Sequence, residues 1–296
     1  MDTHCHIHEI DQPLTPVYDK WHSDGVARTG ESVLRSAQAA GVRKLIVIGT
    51  TLEDSEQAVR FAQSHDGVWA SIGLHPHEAK KYTTPQKHNF RGLSSESSAV
   101  SGGVQVLPEV MCRFRELVRE PKVVAVGECG LDYFYGHSAR DEQAAILRFQ
   151  IELALEHDLP LSFHVRGVPG YPDRDAFADF WPIFESYRDI SGVLHSFTDT
   201  TANMERAVSH GLYIGTNGIA TFTRDEAQLV TYRTIPQHKL LLETDAPFLT
   251  PNPFRGRVCL PEHVVLSAEF LANLRGESLS ELARVTTANA RKLFSI

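Results

Sequence analysis

The sequence contains few cysteines, and none of them forms a pair at metal-binding or redox spacing. The four are Cys5, Cys112, Cys129 and Cys259. Without a Cys-x-x-Cys pair, the chain carries neither a zinc ribbon nor a thioredoxin-like redox motif. Nothing in the spacing indicates disulfide bonds, which agrees with a reducing compartment.

The sequence also lacks long apolar runs and an excess of positive charge. No stretch approaches the roughly 20 apolar residues of a membrane-spanning helix, and the polar N-terminal segment lacks a signal-peptide core. We therefore expect a cytoplasmic protein without a membrane partner. With 29 basic and 37 acidic residues the net charge is −8. This balance argues against a general polyanion-binding surface, but a phosphate substrate stays open if metal ions supply positive charge locally.

Short apolar runs alternate eight times with segments of helical periodicity, and this alternation predicts an α/β fold of the (β/α)8, or TIM-barrel, type. Runs such as Lys44–Gly49 are almost continuously apolar, as in parallel strands buried on both faces. The predicted strands are Asp2–His6, Lys44–Gly49, Val68–Leu74, Val123–Glu128, Leu161–His164, Gly192–His195, Leu212–Gly215 and Leu240–Glu243. The alternative is a doubly wound open sheet. It is disfavoured because residues of ligand type follow strands all along the chain, not at one switch point.

The chain length suits one barrel domain, residues 1–296, since barrels commonly use about 250 residues. The predicted helices are Glu31–Ala40, Leu52–Ser64, Ala139–Glu156, Asp173–Tyr187, Thr201–His210, Arg224–Tyr232, Pro261–Arg275 and Leu279–Phe294. The stretch 83–105 breaks this pattern, because it is rich in serine and glycine and has few large apolar residues. We predict a surface loop inserted there, either a neutral connection or a lid over the site.

Six residues of ligand type stand at the ends of predicted strands. His4 and His6 form a His-x-His pair, and both rings face the same side because side chains alternate along a strand. The other four are Glu128, His164, His195 and Asp245. Each alone has an ordinary structural explanation, such as a hydrogen-bonded core histidine or a helix cap. Because barrel enzymes gather their chemistry at the carboxyl ends of their strands, the six together predict a metal centre.

The number of ligands favours two metal ions over one. Six ligands exceed the need of one tetrahedral zinc with an open position, and they suit two divalent cations that share a bridging carboxylate. The mixed nitrogen and oxygen donors admit zinc, magnesium, manganese or iron, and the four imidazoles favour zinc-like ions over magnesium.

Six motifs, in chain order, resemble those of the TatD family of metal-dependent deoxyribonucleases, and the match spans essentially the whole chain. They are Asp2–His6, Gly73–His77, Gly127–Asp132, Phe163–Arg166, His195–Phe197 and Glu243–Pro251. The resemblance implies a TIM barrel of the amidohydrolase type, a divalent metal centre and hydrolysis of DNA phosphodiester bonds. The enzyme is then a hydrolase acting on ester bonds, with 3′–5′ exonuclease action as one form of that activity.

The resemblance also implies a role for each ligand. His4 and His6 would hold one metal ion, and Glu128 would bridge to the other. A further histidine pair, His164 and His195, would hold the second ion. The remaining ligand, a carboxylate, would complete the first ion and accept a proton from the attacking water. That residue is Asp245, so Glu128 and Asp245 are the expected catalytic residues.

Two residues near the predicted mouth are candidates for substrate binding. We expect His75 and Arg166 to contact a substrate phosphate, since arginine gives a bidentate, charge-assisted grip. The expected partner is DNA, as a single strand or a strand end, and we expect the enzyme to be a monomer. The chain departs from the family pattern at Gly167–Pro172 and Arg257–Pro261. Both segments lie near the mouth, so the departures bear on substrate preference and not on the ligands.

Two other functions use the same residues. A metal-dependent hydrolase could act instead on a small cyclic amide, lactone or phosphoester. Many such barrels bridge their metals with a modified lysine, where this chain has Glu128, and this favours the nuclease. A binding protein on a barrel that has lost its activity is the other alternative. The intact set of six ligands argues against it.

Overall fold

The structure is a computed structural model, and it describes residues 1–13, 15–85 and 103–296. Its strands are β1 (Asp2–Cys5), β2 (Leu45–Ile48), β3 (Val68–Ile72), β4 (Thr83–Pro85), β5 (Val104–Val106), β6 (Val123–Asp132), β7 (Leu161–Arg166), β8 (Gly192–Leu194), β9 (Tyr213–Thr216) and β10 (Leu240–Leu242). Eight of them form one parallel sheet in the order β1-β2-β3-β6-β7-β8-β9-β10. All eight predicted barrel strands are therefore confirmed.

The two edge strands of this sheet meet and close it into a barrel. Just beyond β10, Ala246 forms a parallel bridge with Cys5 of β1. The amide of His6 donates to the Ala246 carbonyl at 2.8 Å, and the amide of Asp245 donates to the His4 carbonyl at 2.8 Å. The predicted TIM barrel is confirmed, and its closure brings the first and last ligands of the sequence side by side.

Helices surround the barrel. They are α1 (Pro16–Trp21), α2 (Gly30–Ala39), α3 (Leu52–Ser64), α4 (Pro108–Leu117), α5 (Arg140–Glu156), α6 (Ala176–Glu185), α7 (Thr201–Ser209), α8 (Glu226–Thr234), α9 (Val264–Arg275) and α10 (Leu279–Phe294). All eight predicted helices are present, whereas α1 and α4 were not predicted. Several begin at a hydroxyl N-cap, as where Thr51 accepts from the Asp54 amide and Ser278 from the Glu281 amide, which satisfies amides that lack a partner in the first turn.

The barrel interior is filled at the end opposite the predicted site. Ile46, Val193 and Leu241, from three different strands, pack in one apolar cluster with Leu293 and Phe294 of α10. Met1 and Trp69 border the same cluster, which places it at the amino ends of the strands. The carboxyl ends of the strands are left free to carry polar chemistry.

Two glutamines of α5 hold neighbouring strand ends in place. Gln143 Oε1 accepts from the Asp132 amide at 2.8 Å, and its Nε2 donates to the Asp132 carbonyl at 3.1 Å. Gln150, two helical turns further, does the same for the amide and carbonyl of Leu74, at 2.8 and 3.0 Å. Both glutamines are almost fully buried, and so are Asp132 and Leu74. The helix thus fixes the backbone on which His75 and the end of β6 are carried.

The prediction of a surface loop over residues 83–105 is wrong at the two ends of that range, where the chain forms paired strands. Strands β4 and β5 pair antiparallel, with Thr83 opposite Val106, and the Leu107 amide donates to the Tyr82 carbonyl at 2.9 Å. Backbone pairing of distant segments left no local signal in the sequence. The rest of the predicted loop, 86–102, lies outside the described residues. Across the described residues, every helix is too short or too polar to cross a lipid bilayer.

Candidate metal centre

The six predicted ligands meet at the carboxyl ends of the barrel strands. Their placement depends in part on an irregularity in β6. Val126 pairs with Leu161 of β7, but the next pair is Cys129 with Phe163, so three residues of β6 span two of β7. Such bulges re-aim a side chain, and here Glu128 lies within the irregular step. Its carboxylate is buried among histidines from four other segments.

One group of ligands surrounds Asp245. His6 Nε2 lies 3.4 Å from Asp245 Oδ1, and His4 Nε2 lies 3.7 Å from that oxygen and 3.4 Å from Glu128 Oε2. His195 Nε2 is 3.9 Å from both carboxylates. These separations exceed the usual hydrogen-bond range of about 2.7–3.2 Å. Two donor atoms that each lie about 2.1 Å from one tetrahedral cation are roughly 3.4 Å apart, so the observed separations match a shared ion.

A second group lies on the other side of Glu128. Its Oε1 atom is 3.5 Å from His75 Nε2 and 2.8 Å from His164 Nδ1. The opposite ring nitrogen of His164, Nε2, is 2.8 Å from Asp132 Oδ2. Glu128 Oε2 therefore faces the first group, whereas Oε1 faces the second group and also lies 3.9 Å from His195 Nε2. The Glu128 carboxylate thus lies between the two groups.

The orientation of the rings fits a metal ligand set. His6 Nδ1 lies 3.0 Å from the Ile48 carbonyl, so this nitrogen carries a hydrogen, and Nε2 is the ring atom that faces Asp245. His4 is only 1% exposed, and neither of its ring nitrogens has a hydrogen-bond partner among the described residues. Buried polar atoms are rarely left without a partner. A divalent cation would satisfy the His4 nitrogen that faces Glu128 and Asp245.

The electrostatics of the cluster favour ionised carboxylates. Burial would raise the pKa of Glu128, but the imidazoles of His75 and His164 hold it well below its usual range. The pKa of Asp245 is lowered in spite of burial, because the imidazoles of His6, His195 and His4 lie close to its carboxylate. Burial lowers the pKa of His75 to about 4. The pKa values of His6 and His164 rise to about 10 and about 9, because contact with carboxylates outweighs burial.

Comparison with known proteins agrees with this geometry. A family model described as TatD related DNase matches residues 1–295. The chain belongs to the TatD-related DNase family. This confirms the resemblance seen in the motifs and the enzyme class drawn from it, a metal-dependent hydrolase acting on ester bonds.

Individual relatives align over nearly their whole length. The "Uncharacterized metal-dependent hydrolase YabD" of Bacillus subtilis is 32% identical over 268 residues, 90% of this chain and 92% of the relative. The "3'-5' ssDNA/RNA exonuclease TatD" of Escherichia coli is 32% identical over 285 residues, 93% and 96% of the two chains. The crystal structure of YjjV, a TatD homologue from Escherichia coli, superposes with a TM-score of 0.74 at 27% identity, covering 100% of this chain and 98% of that one.

In this TatD-related chain the six proposed ligands fall into two groups of neighbours. The motifs implied that His164 and His195 share one ion, and that pairing stays a prediction, since His195 Nε2 lies 3.9 Å from both Glu128 and Asp245. The His195 ring stacks on His4 at a centroid distance of 3.4 Å. His164 lies with His75, which was predicted to contact substrate only. The sequence could not reveal this, because it depends on which strand ends face each other across the mouth.

Two further carboxylates support the TatD-related site from behind the proposed ligands. Glu243 Oε1 lies 3.0 Å from His195 Nδ1. Asp132 contacts both His164 and His77, the latter at 3.1 Å, and sequence reasoning did not place it beside a ligand. A signal was present, since Asp132 follows Glu128 by an even number of residues on an extended segment and so shares its face.

Arg166 lies outside the ligand cluster. It ends β7, is exposed, and places its guanidinium over the Phe134 ring at 4.2 Å and 5.1 Å from the Tyr135 ring. Both of those residues follow β6, whose end also carries Asp132. Arg166 is therefore positioned at the mouth of the barrel beside the metal ligands, as the motif led us to expect.

Proposed function

We propose that this chain is a metal-dependent nuclease that hydrolyses phosphodiester bonds of DNA, acting on single strands or strand ends. The observation that carries the proposal is the position of the Glu128 carboxylate, which lies between the ligands around Asp245 and the ligand His164. Family membership supports the same chemistry, and the Escherichia coli relative bears the name of a single-strand exonuclease of 3′–5′ polarity.

The residues proposed to hold two divalent ions are the six strand-end ligands. They are His4, His6, Glu128, His164, His195 and Asp245. The structure adds His75 as a neighbour of Glu128 and His164. When bound, two divalent ions generate hydroxide near neutral pH and offset charge on the attacked phosphate. Zinc, magnesium and manganese all suit this donor set.

Asp245 is the proposed general base. Its side chain retains 17% exposure, in contrast with the fully enclosed His4, so a water molecule can reach it. The residue adopts a left-handed backbone conformation with φ of 64°, which a non-glycine residue keeps only where the surroundings impose it. Its amide is anchored to the His4 carbonyl. The carboxylate is thereby held in place to orient a water and accept its proton.

His75 and Arg166 are the proposed substrate contacts. Arg166 presents an exposed, planar donor group that suits a phosphate of the strand. His75 is kept neutral by burial, which lowers its pKa to about 4, so it approaches an anionic substrate as a hydrogen-bond partner or metal ligand and not as a cation. His75 is thus proposed to lie between the metal ligands and the bound substrate.

The proposal is tested by metal analysis of the purified protein together with digestion of single-stranded DNA labelled at one end. We expect bound divalent metal, progressive shortening of the strand, and loss of cleavage with a chelator. The label position reports the polarity. A parallel panel of lactones, cyclic amides and phosphotriesters serves as control. If the protein hydrolyses a member of this panel and leaves the DNA uncut, the proposal is overturned.

A further inference from the structure

Exposed aromatic side chains and an arginine gather beside the metal centre. Phe134 is 41% exposed and Tyr135 is 52% exposed, and they are among the few large apolar side chains this open to solvent in the described residues. The Arg166 guanidinium lies over both rings, at 4.2 and 5.1 Å. We call Phe134, Tyr135 and Arg166 the mouth platform.

The backbone under the platform is held firmly. Asp132 Oδ1 accepts from the amides of Phe134 and Tyr135, both at 2.9 Å. Arg174 donates to the carbonyls of Phe134 and Tyr133, at 2.7 and 2.6 Å. Four hydrogen bonds thus fix a segment whose side chains are open to solvent. Such an arrangement presents the rings in a defined place, ready for a ligand.

Two neighbouring imidazoles pack against the Tyr135 ring. His137 stacks parallel to it, with centroids 5.7 Å apart and planes 5° apart. His77 meets it edge-on at 5.2 Å. His77 also contacts Asp132, which in turn contacts the ligand His164. The platform and the proposed metal centre are therefore joined through one buried carboxylate.

We propose that the mouth platform binds a nucleobase of a single strand, next to the phosphate that is cleaved. This inference rests on the proposed nuclease function and names the part of the substrate that the site recognises. Aromatic rings and guanidinium planes stack on unpaired bases and tolerate any sequence. Arg166 additionally carries the positive charge that a neighbouring phosphate requires, in a chain whose overall charge is −8.

The chemistry of the platform selects among nucleic acids. A base inside a duplex is already stacked and paired, so its faces are closed to protein rings. A base at a frayed end or in a single strand is open on at least one face. The platform therefore favours single strands and ends over intact duplex.

The test measures binding, so that it does not depend on cleavage. A fluorescently labelled oligonucleotide with phosphorothioate linkages, which resist hydrolysis, is titrated into the metal-loaded protein. A second oligonucleotide is identical except for abasic residues at its terminal positions. We expect the wild-type protein to bind the abasic strand roughly tenfold more weakly, the scale of losing one stacked base. The F134A/Y135A double variant should bind both strands with the same reduced affinity.

Two further variants sharpen the result. Tyr187→Ala removes an aromatic ring that follows the C-terminal end of α6, where its hydroxyl donates to Glu152 of α5, and should leave the preference for bases unchanged. Tyr135→Trp keeps a stacking surface and should retain it as well. The proposal is overturned if the wild-type protein binds the two strands equally. It is also overturned if F134A/Y135A keeps the wild-type preference for the strand with intact bases. Base-dependent binding without cleavage of an ordinary oligonucleotide would instead overturn the nuclease proposal and leave the platform standing.

Discussion

Glu243 Oε1 lies 3.0 Å from Nδ1 of His195, across the strand β9 that separates them in the barrel. The same oxygen accepts from the Ser196 amide at 2.5 Å, and the side chain is 1% exposed. A carboxylate so placed fixes the ring orientation of a metal-binding histidine and raises its basicity. It leaves His195 Nε2 directed at Glu128 and Asp245.

We predict that Glu243→Gln weakens metal binding while the fold is kept. Replacement of such a supporting carboxylate typically costs 10- to 100-fold in metal affinity or activity. Calorimetric titration of the metal-free protein measures the affinity, and circular dichroism checks the fold. Excess metal should restore much of the lost hydrolysis. If affinity and activity both stay at the wild-type level, Glu243 does not position His195.

Gly215 offers a second way to disturb the same contact. A Cβ atom at this position would lie 2.5 Å from Glu243 Oε2, which is far inside van der Waals contact. We therefore expect Gly215→Ala to push the carboxylate away from His195 and to reproduce the metal-affinity loss of Glu243→Gln. The control for stability is Ala207→Gly on the adjacent helix α7, which changes the side chain by the same single methyl group. Gly211→Ala is unsuitable as a control, because Gly211 has a positive φ that alanine adopts only under strain. Normal metal affinity in Gly215→Ala would contradict the steric argument.

Asp245→Asn tests the general base. The amide retains the shape of the side chain but cannot accept the proton, and general-base contributions are typically 10²- to 10⁴-fold. We expect the variant to fold and to lose at least about a hundredfold in kcat on single-stranded DNA. Metal content is measured in parallel, since Asp245 is also a proposed ligand. Wild-type turnover by a correctly folded variant would remove Asp245 from its assigned role.

The parts of this molecule that the sequence predicted are those with a local signal. Apolar runs marked the eight strands, because parallel strands buried on both faces are almost continuously apolar. The residue types at the strand ends marked the six proposed ligands. Strand β6 nevertheless continues to Asp132 and β7 to Arg166, beyond the predicted Glu128 and His164. That extension depends on pairing between the two strands.

Gly130 shows why the extension was hard to foresee. A Cβ there would lie 1.8 Å from the His164 carbonyl oxygen, so only glycine allows β6 and β7 to approach this closely. The glycine was visible in the sequence, but the strand it faces was not. The same holds for the grouping of ligands, which depends on the positions of strand ends across the mouth and not on any spacing along the chain.

Gln150→Leu should destabilise the fold through the backbone it supports. The substitution leaves the buried amide and carbonyl of Leu74 without partners, and an unsatisfied buried group costs about 1–3 kcal/mol. We expect the free energy of unfolding to fall by about 2 kcal/mol or more, as measured by urea denaturation. Gln228→Leu is the matched control, because the buried Nε2 of Gln228 has no partner within the described part of the chain. Equal losses in the two variants would contradict the bracing role.

We predict that the lowered pKa of His263 makes the stability of the fold depend on pH. Burial lowers the pKa of His263 from 6.5 to about 4, and its Nδ1 accepts from the Leu260 amide at 3.1 Å. Between these two pH values the unfolded chain binds a proton that the folded chain does not, so stability falls as the pH drops from 6.5 towards 4. His263→Asn keeps an acceptor and removes the titration, so this variant should lose less stability over that interval.

The measurement compares urea midpoints across the pH range with a chelator present throughout, so that metal binding does not contribute. His238→Asn, at an exposed histidine, should keep the wild-type slope. A slope for His263→Asn that equals the wild-type slope would show that the folded protein accepts the proton at this position without cost.

The Thr3 hydroxyl donates to the Leu242 carbonyl across 239 positions of sequence, and the same closure joins His4 to Asp245. During synthesis, His4 and His6 leave the ribosome long before β10 exists. A nascent chain or a fragment that ends before Asp245 has neither a closed barrel nor the proposed base. The barrel and the proposed base therefore both require synthesis to have passed Asp245, and any shorter product lacks them.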